Sequence, residues 1–249
     1  MGKSMSHIDI VGIGGGKYEG MTMEALESLK KADIIVGYTK YIELIKPSFP
    51  DKEIYATGMK QEVDRCKAAL DMALEGKRIA VVCSGDAGVY GMAGLVLQLS
   101  GEEDRYKNIC IEVVPGVTAA LSGAALLGAP LGHDFAVISL SDLLTPWEVI
   151  EKRVRACSAA DMCMAIYNPS SRSRSDYLMK VCDIMLESKG SDTVCGIACN
   201  IGREGESVEV MTLRELRDTS VDMFSTVFIG NSNTSVINGR MVTPRGYKI

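Results

Sequence analysis

The sequence predicts an α/β protein with two domains, each built on a mainly parallel or mixed sheet. Short β-branched runs alternate with helical segments along the chain, and this alternation is typical of a parallel sheet covered by helices. The 249 residues are enough for two domains of about 120 residues each. The alternation restarts after a stretch rich in glycine and proline at 128–132. We therefore expect one domain over 1–130 and another over 131–249.

Strand, loop and helix follow one another in the first half. The β-branched run 8–11 predicts a strand, and Thr22 is a suitable N-cap for a helix on which Leu26 and Leu29 recur at helical spacing. The later elements are predicted, in order, as strand IIVG, helix QEVDRCKAALDMALEG, strand RIAVVC, helix VYGMAGLVLQLS, strand ICIEVV and helix VTAALSGAALLG. Gly76 stands at the end of the QEVDRC helix, in the C-terminal position that glycine prefers.

The second half repeats the alternation and then ends in short, closely spaced elements. Its predicted elements are strand AVISL, helix PWEVIEKRVRA, strand MCMAIY, helix RSDYLMKVCDIMLES and strand TVCGIAC. A strand SVEVM, a short helix LRELRD and a closing strand STVFIG follow close together. No sequence repeat relates the two halves, so we expect two unequal α/β domains.

Composition and charge argue against several classes of protein. Hydrophobic residues make up 47% and charged residues 24% of the chain, as in soluble globular proteins. No apolar run approaches the roughly 18 residues of a membrane span. The net charge of −5 and the lack of a long Lys/Arg run argue against nucleic acid as a partner. The eight cysteines form no C-x-x-C pair, so we expect no metal site, reduced thiols and a cytoplasmic location.

The glycine-rich stretch VGIGGGKYEGMT follows the first strand but fits neither common nucleotide motif. A Walker A loop would need glycine in place of Val11 and Ser or Thr in place of Tyr18. A dinucleotide fingerprint would use Gly12 and Gly14, but Lys17 stands at the third glycine position. The second strand also ends in IIVGY, without the acid that binds a ribose. A nicotinamide-dependent oxidoreductase therefore remains an alternative, although the sequence differs from the motif of that class at two positions.

Two further glycine-containing loops follow strands. The loop VVCSGDAGVYGMAG places Asp86 at the carboxyl end of a buried strand, where open α/β sheets bind ligands. Capping of the next helix is the alternative role for this acid. The loop VVPGVTAA again sets small residues beside the main chain, and such loops suit a flat ligand that the backbone approaches closely. Because the chain has two histidines and no hydrolase motif, we expect the chemistry to come from a reactive cofactor.

Five stretches together resemble the tetrapyrrole methylases, which are the class III S-adenosylmethionine methyltransferases. They are VGIGGGKYEGMT, SGDAGVYGMAG, VVPGVTAALSGAALLGAPLGHDFAVISLSD, AIYNPSSRSR and IGREGESVEV, and the resemblance runs from Ile8 to Gly230. Within the family, SGDAGVYGMAG and GHDFAVISLSDLLTPWE are most similar to the members that methylate C17 of precorrin-3B or cobalt-factor III. Those members also contract the ring, in cobalamin biosynthesis. One departure is Gly15, because the family usually has proline there.

The resemblance implies a cleft between two domains that holds folded S-adenosylmethionine, released as S-adenosylhomocysteine, beside a tetrapyrrole or corrinoid substrate. The cofactor-binding residues that it implies are Gly85, Asp86, Ala87, Tyr90, Thr118, Ala119, Asn168, Asn200, Ile201, Gly230 and Asn231. By location, the catalytic candidates are Asp86, Ser84 and Tyr90. The substrate-binding candidates are Gly14, Gly15, Gly16, Arg172 and Arg174. The two guanidinium groups suit the carboxylates of such a substrate, and the resemblance also implies a homodimer.

Other functions stay open beside the oxidoreductase. A sister methylase acting on another ring carbon would share the fold, as would the diphthamide-forming enzyme, whose acceptor is a protein side chain. The sequence GHDFAVISLSDLLTPWE at the domain junction argues against both. A non-catalytic module that binds corrinoid or S-adenosylmethionine without turnover would share the loops, and binding without transfer would identify it.

Overall fold

A sheet of five strands organises the first part of the chain in the computed structural model, which describes residues 6–171 and 174–248. The strands are β1 (His7–Gly12), β2 (Ile34–Tyr38), β3 (Glu53–Thr57), β4 (Arg78–Cys83) and β5 (Cys110–Val114). They lie in the order β3-β2-β4-β1-β5, and every neighbouring pair is parallel. The loops that follow β1, β4 and β5 therefore leave the sheet at the same edge.

Helices cover both faces of this sheet. They are α1 (Met23–Lys31), α2 (Thr39–Ile45), α3 (Glu62–Leu74) and α4 (Ala93–Glu102). Ile8 and Ile10 of β1 are buried against α3 and α4, whereas Val11 is buried on the α1 and α2 side. Thr22 caps α1 as predicted, because its Oγ1 accepts the Ala25 N–H at 3.1 Å.

The second part of the chain contains two sheets and four helices among the residues that the structure describes. Its helices are α5 (Ala119–Leu127), α6 (Trp147–Ala159), α7 (Tyr177–Met185) and α8 (Leu213–Arg217). Its strands are β6 (Gly128–Ala129), β7 (Phe135–Ser139), β8 (Cys163–Tyr167), β9 (Val194–Cys199), β10 (Ser207–Thr212), β11 (Ser225–Ile229), β12 (Ser235–Ile237) and β13 (Arg240–Val242). Helix α5 packs on one face of the larger sheet, and α6, α7 and α8 pack on the other.

Strand direction in the larger sheet determines which loops share an edge. The order is β10-β9-β11-β8-β7, in which β7 and β8 are parallel and β11 is antiparallel to both β8 and β9. Strands β7, β8 and β9 therefore run the same way, and their C-terminal ends lie at one edge. The C-terminal end of β11 lies at the opposite edge.

A small third sheet was not predicted. Strands β12 and β13 form an antiparallel hairpin, and β13 also pairs with β6. The hairpin turns at Asn238 and Gly239, whose φ angles are 51° and 74°. An Asn-Gly pair with positive φ at both residues is typical of a two-residue hairpin turn, so VINGRMV contained the signal for these strands.

The chain divides into two compact units, residues 1–119 and residues 120–249. The boundary predicted at 130/131 lies further along, just after the two-residue strand β6. Among the described residues, no helix combines the length and the apolar character that crossing a bilayer would require.

Candidate active site

The loops after β1, β4 and β5 meet through their main chains. Gly14 and Gly85 exchange two N–H···O bonds, of 3.0 and 2.8 Å. A Cβ on Gly116 would lie 2.1 Å from the carbonyl oxygen of Gly85, and a Cβ on Gly12 would lie 2.6 Å from the Gly116 nitrogen. Any side chain at these two positions would push the loops apart, so their contact requires glycine.

Asp86 fastens the second loop to itself and to the third loop. Its Oδ1 accepts the N–H groups of Gly88 at 2.8 Å and Val89 at 3.0 Å, and its Oδ2 accepts the Gly116 N–H at 3.0 Å. Hydrogen bonds to an ionised carboxylate are the stronger kind. The sequence left catalysis and capping as alternative roles for Asp86, and these three bonds favour a positioning role.

Several residues of the loops have left-handed backbone conformations. The φ angles are 56° at Gly14, 96° at Gly16 and 69° at Gly85, whereas Gly15 is outside the left-handed region. Tyr90 has a φ of 55°, which is uncommon and costly for a residue with a large side chain. Strained residues concentrate at ligand sites, so the conformation of Tyr90 supports the second loop as a binding loop.

The other candidates in the first unit differ in exposure. Ala87 is fully buried, whereas Ser84 and Thr118 are half-buried. Tyr90 is 54% exposed, so its ring is accessible to a ligand. Ala119 is half-buried at the start of α5. The candidate residues of the first unit are thus mostly small, and Tyr90 adds an exposed aromatic ring.

Asn168 and Asn200 follow two strands that run in the same direction, β8 and β9. Both have left-handed backbones, with φ angles of 51° and 49°. The Asn168 side-chain amide donates to Ser139 Oγ at 2.9 Å, which ties the end of β8 to the end of β7. Ile201 is partly buried against the cluster around Phe228. The structure therefore brings Asn168, Asn200 and Ile201 to one edge of the larger sheet.

Tyr167 was not singled out from the sequence. Its hydroxyl oxygen accepts the Ala120 N–H at 2.7 Å, so it holds the first turn of α5 just after Thr118 and Ala119. An N–H in the first turn of a helix has no partner within the helix. Tyr167 stands directly before Asn168 in the stretch IYN, and that position was the available signal.

Gly230 and Asn231 lie apart from the two asparagines that follow β8 and β9. The Gly230 N–H donates to the carbonyl of Val194, the first residue of β9, and five residues of strand span about 16 Å. Asn231 Oδ1 accepts the Asn233 N–H at 3.0 Å, within a local turn. The resemblance groups Gly230 and Asn231 with Asn168 and Asn200 as cofactor-binding residues, but the structure places the two pairs at opposite edges of the sheet, because β11 is antiparallel to β8 and β9.

Arg174 contacts its own unit rather than pointing a free guanidinium group at a ligand. Its side chain is 11% exposed, and its Nη1 donates to the Leu140 carbonyl at 3.0 Å. Its Nε donates to Ser171 Oγ at 3.0 Å and lies 3.5 Å from Asp142 Oδ1. These contacts favour a positioning role over direct carboxylate binding. The second predicted substrate cation, Arg172, lies outside the described residues.

A buried charge cluster occupies the opposite, N-terminal edge of the first sheet. The Asp9 side chain is 2% exposed. Its carboxylate accepts bonds from Ser28 Oγ at 2.7 Å, His7 Nε2 at 2.6 Å and Arg78 Nη2 at 3.0 Å. Burial alone would raise the pKa of Asp9, but the bonds from Ser28, His7 and Arg78 hold it below its usual value.

Potential metal ligands stand beside this cluster. His7, Cys110 and Glu112 bring their ligand atoms within 4.8 Å of one another. His7 Nε2 already contacts Asp9 and lies 3.0 Å from the Arg78 guanidinium. A metal ion there would be repelled by the Arg78 guanidinium and would compete with Asp9 for the His7 ring. The donor set therefore does not suit a metal ion.

Comparison with known proteins assigns the chain to a family. Residues 7–217 match the family of Tetrapyrrole (Corrin/Porphyrin) Methylases. A probable cobalt-factor III C(17)-methyltransferase of Salmonella typhimurium is 46% identical over 242 residues, which are 97% of this chain and 100% of that protein. The family that the loops resemble is thereby confirmed.

Solved structures agree in fold. The crystal structure of the methyltransferase CobJ matches with a TM-score of 0.88 at 36% identity, over 95% of this chain and 99% of that chain. A Thermus thermophilus uroporphyrin-III C-methyl transferase complexed with S-adenyl homocysteine has a TM-score of 0.70 at 20% identity, over 90% and 97% of the two chains. The latter likeness shows the fold alone. The predicted fold class is confirmed, the oxidoreductase alternative gains no support, and the chain belongs to the tetrapyrrole methylase family.

Proposed function

We propose that this protein is an S-adenosylmethionine-dependent C-methyltransferase that methylates C17 of cobalt-factor III or precorrin-3B, with ring contraction, in cobalamin biosynthesis. The main-chain contact of the three glycine loops is the observation that carries the proposal. It is supported by the 46% identity, over nearly the whole chain, to a protein named for this reaction.

The loops fit S-adenosylmethionine in their chemistry. At Gly12 and Gly116 the main chains of the loops pack against one another with no room for a Cβ, so a ligand at this edge would meet backbone groups and small residues. We propose that Gly85, Asp86, Ala87, Tyr90, Thr118 and Ala119 bind the donor from the first unit. We propose Asn168, Asn200 and Ile201 as donor contacts of the second unit. Gly14, Gly15 and Gly16 are proposed to contact the tetrapyrrole.

Methyl transfer makes modest demands on side chains. S-adenosylmethionine supplies a methyl group on a positively charged sulfur, and the methyl–sulfur bond breaks as the methyl–carbon bond forms, leaving a neutral thioether. The chain therefore contributes alignment and exclusion of water rather than a strong base. Asp86 serves this purpose by fixing the second and third loops through its three N–H···O bonds.

Ring contraction also requires proton transfers. Ser84 and Tyr90 each carry a hydroxyl in the second loop, so we propose them as the groups that handle protons. Asp86 is proposed as their positioning residue, because main-chain donors already engage both of its carboxylate oxygens.

Calorimetric titration with S-adenosylhomocysteine tests the donor site. We expect micromolar binding by the wild type, no specific binding of NADH, and at least about tenfold weaker S-adenosylhomocysteine binding by Asp86→Ala, because bonds to a charged group are each worth about 1.5–3 kcal/mol. Asp104→Ala is the matched control, since the side chain of Asp104 is 99% exposed. Equal affinities in all three proteins would contradict the role of Asp86.

Anaerobic turnover tests the acceptor. Cobalt-factor III and precorrin-3B are offered separately with S-adenosylmethionine, and mass spectrometry follows the gain of one methyl group. Methylation at a ring position other than C17 would identify a sister methylase. Donor binding without transfer to either substrate would indicate a non-catalytic module.

We also propose that the protein acts in the cytoplasm as a homodimer. The resemblance to a family of typical homodimers supports the assembly, and the eight free cysteines are consistent with a reducing compartment. Light scattering after size exclusion should give twice the mass of one chain. A single-chain mass at micromolar concentration would contradict the dimer.

A further inference from the structure

The loop between β7 and α6, residues 140–146, presents two neighbouring leucines to solvent. Leu143 is 68% exposed and Leu144 is 97% exposed. Covering two adjacent, highly exposed leucines would remove their apolar surface from water, which is favourable. Apolar patches rimmed by polar residues are typical of contact surfaces. We call this pair the leucine tip.

Polar side chains anchor the loop before the leucine tip. Arg174 Nη1 donates to the Leu140 carbonyl at 3.0 Å, and the Tyr177 hydroxyl donates to Asp142 Oδ2 at 2.7 Å. Arg174 Nε lies 3.5 Å from the other oxygen of the Asp142 carboxylate. Two hydrogen bonds and one ion pair thus hold the chain on the N-terminal side of the two leucines.

An aromatic contact anchors the loop after the leucine tip. The ring of Trp147, the first residue of α6, lies 4.5 Å from the ring of Tyr177 between centroids. Tyr177 therefore contacts both sides of the loop, through its hydroxyl and through its ring. A tip held in this way does not need to be ordered when a ligand binds, and ordering is a main cost of association.

The loop begins at the edge that carries the proposed donor residues of the second unit. Ser139, the last residue of β7, accepts bonds on its hydroxyl from the Asn168 amide at 2.9 Å and from the Ser141 N–H at 3.2 Å. Asn168 and the first turn of the loop therefore share one hydroxyl group. Asn168 therefore lies beside the start of this loop.

We propose that Leu143 and Leu144 contact the apolar face of the tetrapyrrole substrate, and that Asp142, Arg174 and Tyr177 are positioning residues that hold this leucine tip. The inference rests on the proposed function. It commits to a flat small molecule because two leucine side chains offer a few hundred Å², whereas a stable dimer buries about 800 Å² on each partner. In this proposal Arg174 holds the loop that contacts the substrate and does not itself bind the carboxylates of the substrate.

Leu144→Ser tests the contact, with Leu74→Ser as the matched control. Leu74 is a 41% exposed leucine at the end of α3, just before β4 begins, and so lies away from the glycine loops. Absorbance titration gives the Kd for cobalt-factor III, steady-state kinetics give KM and kcat, and calorimetry gives the Kd for S-adenosylhomocysteine. We expect the tetrapyrrole Kd and KM to rise about tenfold in Leu144→Ser only, with the donor Kd unchanged.

Tyr177→Phe tests the positioning residues, because it keeps the ring beside Trp147 and removes the bond to Asp142. We expect a rise of several fold in the tetrapyrrole KM with kcat and donor Kd unchanged. A purely structural role would instead lower the unfolding temperature and leave the KM as it was. That result, in a protein that folds, would overturn the positioning role.

The outcomes separate this inference from the proposed function. Wild-type methylation of cobalt-factor III with an unchanged tetrapyrrole Kd in Leu144→Ser would overturn the inference alone. Conversion of the dimer to a single chain by Leu144→Ser would overturn it as well, by showing that a second copy covers the tip. A wild type that neither binds nor methylates a tetrapyrrole would overturn both.

Discussion

The contact between glycine loops gives the sharpest prediction. In Gly116→Ala the new Cβ would lie 2.1 Å from the Gly85 carbonyl oxygen and 2.6 Å from the carbonyl of Gly12. All of these atoms belong to the main chain, so no flexible side chain can move aside. The third loop must shift by about 1 Å relative to the other two before ordinary van der Waals distances are restored.

The size of the effect follows from what the shift breaks. Overpacking of a closely packed region costs about 1–3 kcal/mol, and moving Gly116 also stretches its 3.0 Å bond to Asp86. We expect a loss of about 3 kcal/mol in the free energy of unfolding. Misplacement of a binding group by about 1 Å can cost 100-fold in rate, so we expect methyl transfer to fall by about that factor.

Urea unfolding and single-turnover methyl transfer measure the two effects. Gly94→Ala is the matched control, because a Cβ on Gly94 of α4 meets no atom within 4 Å. Alanine favours a helix over glycine by about 1 kcal/mol, so the control should be slightly more stable and fully active. Wild-type stability and turnover in Gly116→Ala would refute the claim that these loops need a bare main chain.

Two further predictions concern single residues. Asp9→Asn should lose about 3 kcal/mol of unfolding free energy at pH 7, because the buried Asp9 carboxylate loses its charge-assisted bonds to Ser28, His7 and Arg78. The folded pKa of Asp9 is lowered, so its contribution is present above about pH 4 and is lost as pH falls through the lowered value. Urea unfolding should therefore show the difference in unfolding free energy between wild type and Asp9→Asn shrinking from pH 7 to pH 3. A difference that stays constant with pH would contradict this role of Asp9. Tyr90→Asn should remove roughly 1 kcal/mol of left-handed strain and weaken S-adenosylhomocysteine binding, measured by thermal unfolding and calorimetry; unchanged binding would exclude the ring from the site.

The central strand β4 was predictable from the sequence, whereas the edge strand β3 was not. Strand β4 was predicted with its observed bounds because RIAVVC is a continuous apolar run, typical of the centre of a parallel sheet. Strand β3, EIYAT, lies at the sheet edge and is largely exposed, so it carries no such run. Helix α4 begins at Ala93 rather than at Val89, because the preceding residues form the loop that Asp86 fastens.

Strand direction explains why the structure separates Gly230 and Asn231 from the other predicted cofactor-binding residues. The apolar runs of β8, β9 and β11 look alike in the sequence, and nothing in STVFIG states which way the strand runs. The chain reverses between β9 and β10, and β11, which follows α8, runs the same way as β10, so Gly230 and Asn231 lie at the far edge. Asn168 and Asn200 remained together because their strands run the same way. Positions at strand ends can therefore be grouped into a site only after the direction of each strand is known.

Arg174 and Asp86 show why charged side chains are the hardest part of a site to predict. The fork of a guanidinium group and the paired oxygens of a carboxylate suit ligands, but they suit main-chain carbonyl and N–H groups equally well. The sequence does not place the main chain, so it cannot say which partner is nearer. The structure gives both residues main-chain partners, at Leu140 and at Gly116. Under the proposed function, recognition would therefore depend on the backbone and on the leucine tip, with Asp86 and Arg174 as the residues that hold them in place.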